Sequence, residues 1–122
     1  MEKIWEYLSL TTQWEKTVTT TPDVPAALAL AVQSSLHRGN EHVVQAVEAL
    51  EMGDYTLAIC LFKRALSEIN VSIARLSQPD VLAHQSATEY RTFALPRLFD
   101  LREIWLRVMA ECRQNRREDQ AE

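Results

Sequence analysis

The sequence predicts an all-α protein, an antiparallel helical bundle of five or six helices. Three observations carry that expectation. Apolar residues recur at three- and four-residue spacings through most of the chain, the period of one face of a helix. Glycine is scarce, with 2 among 122 residues, and strands joined by tight turns need more than that. Hydrophobic residues make up 47% and charged residues 25%, a balance that suits one packed core rather than disorder.

The elements follow in order along a single helical domain, 1–117. Ile4, Trp5, Leu8 and Trp14 stand at helical spacings beside Tyr7 and Leu10, which predicts an N-terminal helix over 1–16. The next stretch, TVTTTPDVP, combines β-branched threonines with two prolines, so 17–24 reads as a linker. A helical core is expected over 25–117. Asp23 is placed to cap its first helix, with Pro25 tolerated in the first turn and Leu28, Ala31, Val32 and Leu36 on the apolar side. Gly39 is expected to stop that helix and Asn40 to cap another, which holds Val43, Val44, Val47 and Leu50 and ends at Gly53.

Asp54 then caps the most regular helix. Its inward stripe is Tyr55, Ala58, Ile59, Phe62, Ala65, Leu66, Ile69, Ile73 and Leu76, with Lys63, Arg64, Glu68 and Arg75 off it. Ser77-Gln-Pro-Asp80 has the form of a capping box and predicts a helix over 78–93 carrying Val81, Leu82, Tyr90 and Phe93. Pro96 is expected to break or kink the run. A last helix over 97–115 should bury Leu98, Leu101, Ile104, Trp105, Val108, Met109 and Cys112, and 118–122 reads as a frayed tail.

The pair of helices over 41–70 resembles a tetratricopeptide (TPR) repeat. The resemblance rests on Gly53-Asp54-Tyr55, then Ala58-Ile59, Phe62, Lys63, Ala65 and Leu66. It implies a turn at Gly53 and Asp54 between antiparallel helices. It also implies close approach at Ala58 and Ala65, with Tyr55 and Phe62 filling the space between. The hairpin-packing residues are therefore Gly53, Tyr55, Ala58, Phe62 and Ala65. His42, Gln45 and Ala49 stand where that family carries an aromatic, a leucine and a tyrosine, and no second copy follows at its period. The stretch VVQAVEALEMGDYTLAICLFKRALSEI is also similar to the first two helices of microtubule-interacting-and-trafficking domains. Spaced alanines and aromatics after Gly-Asp-Tyr also suit any long α-hairpin, so shared descent and generic packing both remain open.

No grouping of residues calls for catalysis. His37, His42 and His84 share no helical face at metal-ligand spacing, and no HExxH, glycine-rich phosphate loop or GxSxG occurs. No cofactor, metal or catalytic residue is expected. Cys60 and Cys112 show no CxxC or Cys–His spacing and read as reduced thiols, with Cys60 packed against apolar neighbours. The first twenty residues lack the apolar core of a signal peptide, and no stretch reaches membrane-spanning length, so a cytoplasmic protein without membrane contact is expected.

Charge is uneven. Net charge is −4, yet Arg91 to Arg117 contains seven arginines against three acids. Asp100, Glu103 and Glu111 are spaced to form helix ion pairs with them. Arg102, Arg107, Arg113, Arg116 and Arg117 are the candidate contacts for an acidic partner or for nucleic acid. Together these features point to a non-enzymatic protein–protein interaction module, an adaptor, small chaperone or regulator, that forms a homodimer. Its candidate partner-facing residues are His42, Gln45, Lys63, Arg64, Trp5 and Trp14, since aromatic anchors suit interfaces. A small nucleic-acid-associated regulator using the arginine set is the alternative.

Overall fold

The computed structural model describes residues 26–79 and 85–121. The expected N-terminal helix and linker, with Trp5, Tyr7 and Trp14, lie outside the described residues, as do Asp80, Val81, Leu82 and His84. Among the described residues the protein is all-helical and contains three helices: α1 Ala26–Glu51, α2 Tyr55–Leu76 and α3 Gln85–Ala121. The expected five or six are not reached among these residues: the N-terminal helix falls outside them, and two expected breaks are absent. Gly39 lies inside α1 and Pro96 lies inside α3.

The apolar phase explains both. In α1, Leu28, Val32, Leu36, Gly39, Val43, Ala46 and Leu50 are all buried at steps of three or four residues, so the stripe passes through Gly39 without a shift. Asn40 therefore caps nothing; it is an interior helix residue. In α3, Ala87, Tyr90, Ala94, Leu98, Leu101, Trp105, Val108 and Cys112 do the same across Pro96. Pro96 itself is exposed, and its missing N–H deprives the Thr92 carbonyl of its usual helical donor. Next to it the Arg97 guanidinium donates to the Phe93 carbonyl and lies 3.9 Å over the Phe93 ring.

The turn between α1 and α2 sits where the sequence places it. Gly53 adopts φ 75°, a left-handed conformation that costs glycine little. Its N–H donates to Leu50, and the Asp54 N–H donates to Ala49. The Asp54 carboxylate accepts from the Leu57 N–H at 3.0 Å, capping α2. At the far end Ser77 closes α2, and Pro79 just beyond it is again helical. The Ser77 N–H donates to Ala74 and its hydroxyl to the Ile73 carbonyl at 3.1 Å, while the expected capping-box partner Asp80 lies outside the described residues.

α1 and α2 run antiparallel. Gly39 lies against Ala65 and Arg38 meets Glu68, while Ala31 shares a cleft with Arg75, so one helix advances as the other recedes. α2 is the central element, packed on both α1 and α3. That double contact widens its buried face: Leu61 and Ser72 are buried in addition to the expected stripe, and Tyr55 and Ile73 pack partly exposed at its margin. One core joins all three helices, with Trp105 and Phe62 its largest fully buried side chains. Full burial of an aromatic that size is worth about 1.5–3 kcal/mol.

All three helices meet at Gly39. A β-carbon there would stand 3.1 Å from Trp105 Cη2 and 3.7 Å from the Ala65 carbonyl oxygen. The missing side chain is the space that the indole edge of α3 fills between the two hairpin helices.

Candidate functional site

The hairpin-packing residues occupy the interior of the fold. Ala58, Phe62 and Ala65 are fully buried on α2, Tyr55 is half-buried at its start, and Gly53 is exposed in the turn. Ala58 and Ala65 lie on the side that meets neighbouring helices, where small side chains permit close approach.

Two open surfaces flank the hairpin. Along α2 runs a groove of about 470 Å³ lined by Lys63, Leu66, Ser67, Asn70, Val71 and Ala74. Its floor is apolar and its small residues leave room for another backbone, while Lys63 and Asn70 supply polar edges. Val71 is 54% exposed there. Along α1 a second face of about 610 Å³ is lined by His37, Asn40, Glu41, Val44, Gln45 and Glu48. It is acidic, and His37 pairs with Glu41 at 3.1 Å. The candidate partner-facing residues are thus divided: Gln45 belongs to the α1 face and Lys63 to the α2 groove. Arg64 is exposed and lines neither; His42 is half-buried, and its Nδ1 is buried with no hydrogen-bond partner.

The arginines of α3 fall into two groups. Arg102, Arg113 and Arg116 are half-buried along the margin of the core, whereas Arg107 and Arg117 are exposed. Asp100, Glu103 and Glu111 are spaced for ion pairs with them, but among the described residues the ion pairs are His37–Glu41 and Arg38–Glu68. Among the described residues, then, Asp100, Glu103 and Glu111 form no ion pair with the α3 arginines.

Of the two thiols, Cys112 is buried as expected and Cys60 is not. Cys60 is exposed because its position on α2 points away from the stripe, and Cys112 is the buried one. Burial, assisted by the neighbouring Glu111 charge, pushes the Cys112 thiol up to about 11. Burial likewise pushes the Tyr90 phenol up to about 12. Among the described residues no three His, Cys, Asp or Glu side chains gather where a metal ion would be held.

One feature was not legible as a site in the sequence. Ser35 and Ser72 are the buried polar side chains among the described residues, and both line a single cleft between α1 and α2. Its volume is about 130 Å³, and Ala31, Ser34, Arg38, Val71 and Arg75 complete the wall. Arg38 Nη2 donates to Ser35 Oγ at 3.3 Å and Arg38 Nε donates to Glu68 Oε1 at 3.2 Å. Ser72 Oγ is buried and has no partner. Serines on an otherwise apolar stripe were the only available signal.

No family model, curated protein or solved structure matches this chain. Among the described residues no helix is long and apolar enough to cross a membrane.

Proposed function

We propose that this chain is a non-enzymatic protein–protein interaction module, an adaptor, small chaperone or regulator, whose α2 groove receives a helical segment of a partner protein. The groove carries the reading. Leu66, Val71 and Ala74 form an apolar floor with an exposed Val71, bordered by Lys63 and Asn70, which is the pattern an amphipathic helix requires. The hairpin turned at Gly53 and Asp54 and packed through Ala58 and Ala65 supports kinship with TPR-like modules. Self-association as a homodimer belongs to the same reading, since exposed Leu30, Val44, Met52 and Phe99 leave further apolar surface to cover. Two free thiols suit the reducing cytoplasm.

A photoreactive amino acid at Ser67 tests the groove. Cross-linking in cells should capture a discrete protein or a second copy of the chain, and Ala74→Glu should abolish that product while the variant stays folded. Identical products from the two forms would overturn the reading. Sedimentation of the purified chain over a range of concentrations tests the dimer, and a monomer throughout would remove it.

A second reading is favoured by the five α3 arginines, which have no acidic partners among the described residues. Contact with nucleic acid would then fall steeply between low and moderate salt. No binding at low salt would dispose of it.

A further inference from the structure

Two buried serine hydroxyls and two guanidinium groups converge on the cleft between α1 and α2, and they present donors with too few acceptors. Ser35 Oγ accepts from Arg38, which leaves its own proton available. Ser72 is 1% exposed and its hydroxyl has no hydrogen-bond partner among the described residues. Ser34 adds a third hydroxyl to the wall. Arg75 has no acidic partner among the described residues, whereas Arg38 is offset by Glu68. Among the described residues the Arg75 charge at the cleft is therefore uncompensated. The cleft volume of about 130 Å³ is several times the ~30 Å³ share of one water, so a single bridging water does not fill it.

We propose that this cleft between α1 and α2 binds a phosphate-type oxyanion, held by Arg75 and Arg38 and by the hydroxyls of Ser34, Ser35 and Ser72. A tetrahedral phosphate offers several oxygens to donors arriving from different directions, as these do from two helices. A planar carboxylate offers only two. Arginine is the side chain best suited to phosphate, and a hydroxyl left unpaired in the interior is costly unless a ligand takes up its proton. The same chemistry is presented by free phosphate and by a phosphorylated side chain. Val71 lies on the wall of both this cleft and the α2 groove, so a phosphate borne by a docked segment can reach it. The site does not depend on the groove reading, because Ala74→Glu tests the groove and leaves the cleft residues in place.

The test is an amide-resolved NMR titration of the full chain with inorganic phosphate, against sodium chloride and sodium acetate at matched ionic strength. Phosphate should shift the Ser34, Ser35, Ser72 and Arg75 resonances saturably, and chloride and acetate should not. Arg75→Gln should weaken binding about tenfold, the loss of one charge-assisted contact. Ser72→Ala should raise the melting temperature in phosphate-free buffer and yet lose much of the phosphate response. A purely structural serine would not give that pairing. O-phosphoserine titrated in parallel separates the sources: tighter binding than inorganic phosphate points to a phosphorylated partner, weaker binding to the free ion, and either supports the site. Three results would overturn it: phosphate acting no differently from chloride, acetate matching phosphate, or both variants responding like the parent.

Discussion

At Gly39 two opposing effects meet, and their magnitudes decide the outcome of substitution. A glycine inside a helix costs about 1 kcal/mol relative to alanine, so Gly39→Ala gains that much in helix propensity. The new β-carbon, however, would stand 3.1 Å from the indole of Trp105, which is fully buried and has no room to retreat. Overpacking of that kind costs about 1–3 kcal/mol. We expect Gly39→Ala to lower stability by about 1 kcal/mol in urea denaturation, and Trp105→Phe, which removes the contacting ring edge, to abolish that loss in the double variant. A Gly39→Ala protein more stable than the parent would show that the indole does not require the glycine. Reading Gly39 as a stop followed the usual preference of glycine for helix ends. The contrary signal was present in the sequence: the position falls in phase with Leu36 and Val43. What the sequence could not show was a tryptophan from another helix needing the space.

At the scale of elements, the hairpin was readable because local chemistry and periodicity agree. Gly53 takes the left-handed turn, Asp54 caps, and the stripe from Ala58 to Leu76 is regular. Ala58 and Ala65 on that stripe are both fully buried. Ala58→Leu and Ala65→Leu should each lower stability by about 1–3 kcal/mol, measured by thermal or urea unfolding, and unchanged melting temperatures in both would refute close packing there. α3 poses the reverse case. Pro96 interrupts the hydrogen-bond ladder without interrupting the apolar phase, and it is exposed. Pro96→Ala should restore one backbone hydrogen bond and raise stability by about 1–3 kcal/mol, which chemical denaturation would reveal. A loss of stability would mean that the proline itself is needed to seat Ala94 and Leu98. The two-helix reading of this region gave proline its ordinary weight and the uninterrupted spacing of Tyr90, Ala94, Leu98 and Leu101 too little. The cleft between α1 and α2 was illegible for a different reason. Serines 34, 35 and 72 come together only through the antiparallel register of two helices, which no local pattern fixes.

For the whole molecule, the core imposes an alkaline limit. The Cys112 thiol, pushed up to about 11, and the Tyr90 phenol, pushed up to about 12, both lie above their ordinary values of 9.0 and 10.0. Each therefore favours the folded state while protonated. Cys112 contributes fully below about pH 9 and loses that contribution as pH climbs through about 11, and Tyr90 follows about one pH unit later. Rises of that size are worth about 3 kcal/mol per group at the alkaline extreme. Unfolding free energy should thus decline above pH 9, and Cys112→Val should flatten the first part of the decline while Cys60→Ser leaves it unchanged. Equal slopes in the parent and Cys112→Val would contradict this origin. The sequence identified Cys112 as a candidate for the core but assigned the firmer burial to Cys60, because an apolar neighbourhood along the chain does not reveal which side of a helix faces inward.

The convergence on one indole also dictates an order of events. The ring of Trp105 rests against both α1 and α2, so its cradle exists only after those two helices have closed on each other. Chain closure between partners such as Arg38 and Glu68 spans 30 residues and is entropically easier than the longer excursion that brings Trp105 to Gly39. We expect that late arrival to fall on the downhill side of the folding barrier. In stopped-flow experiments, truncating Trp105 should therefore accelerate unfolding many-fold while leaving the refolding rate nearly as it was.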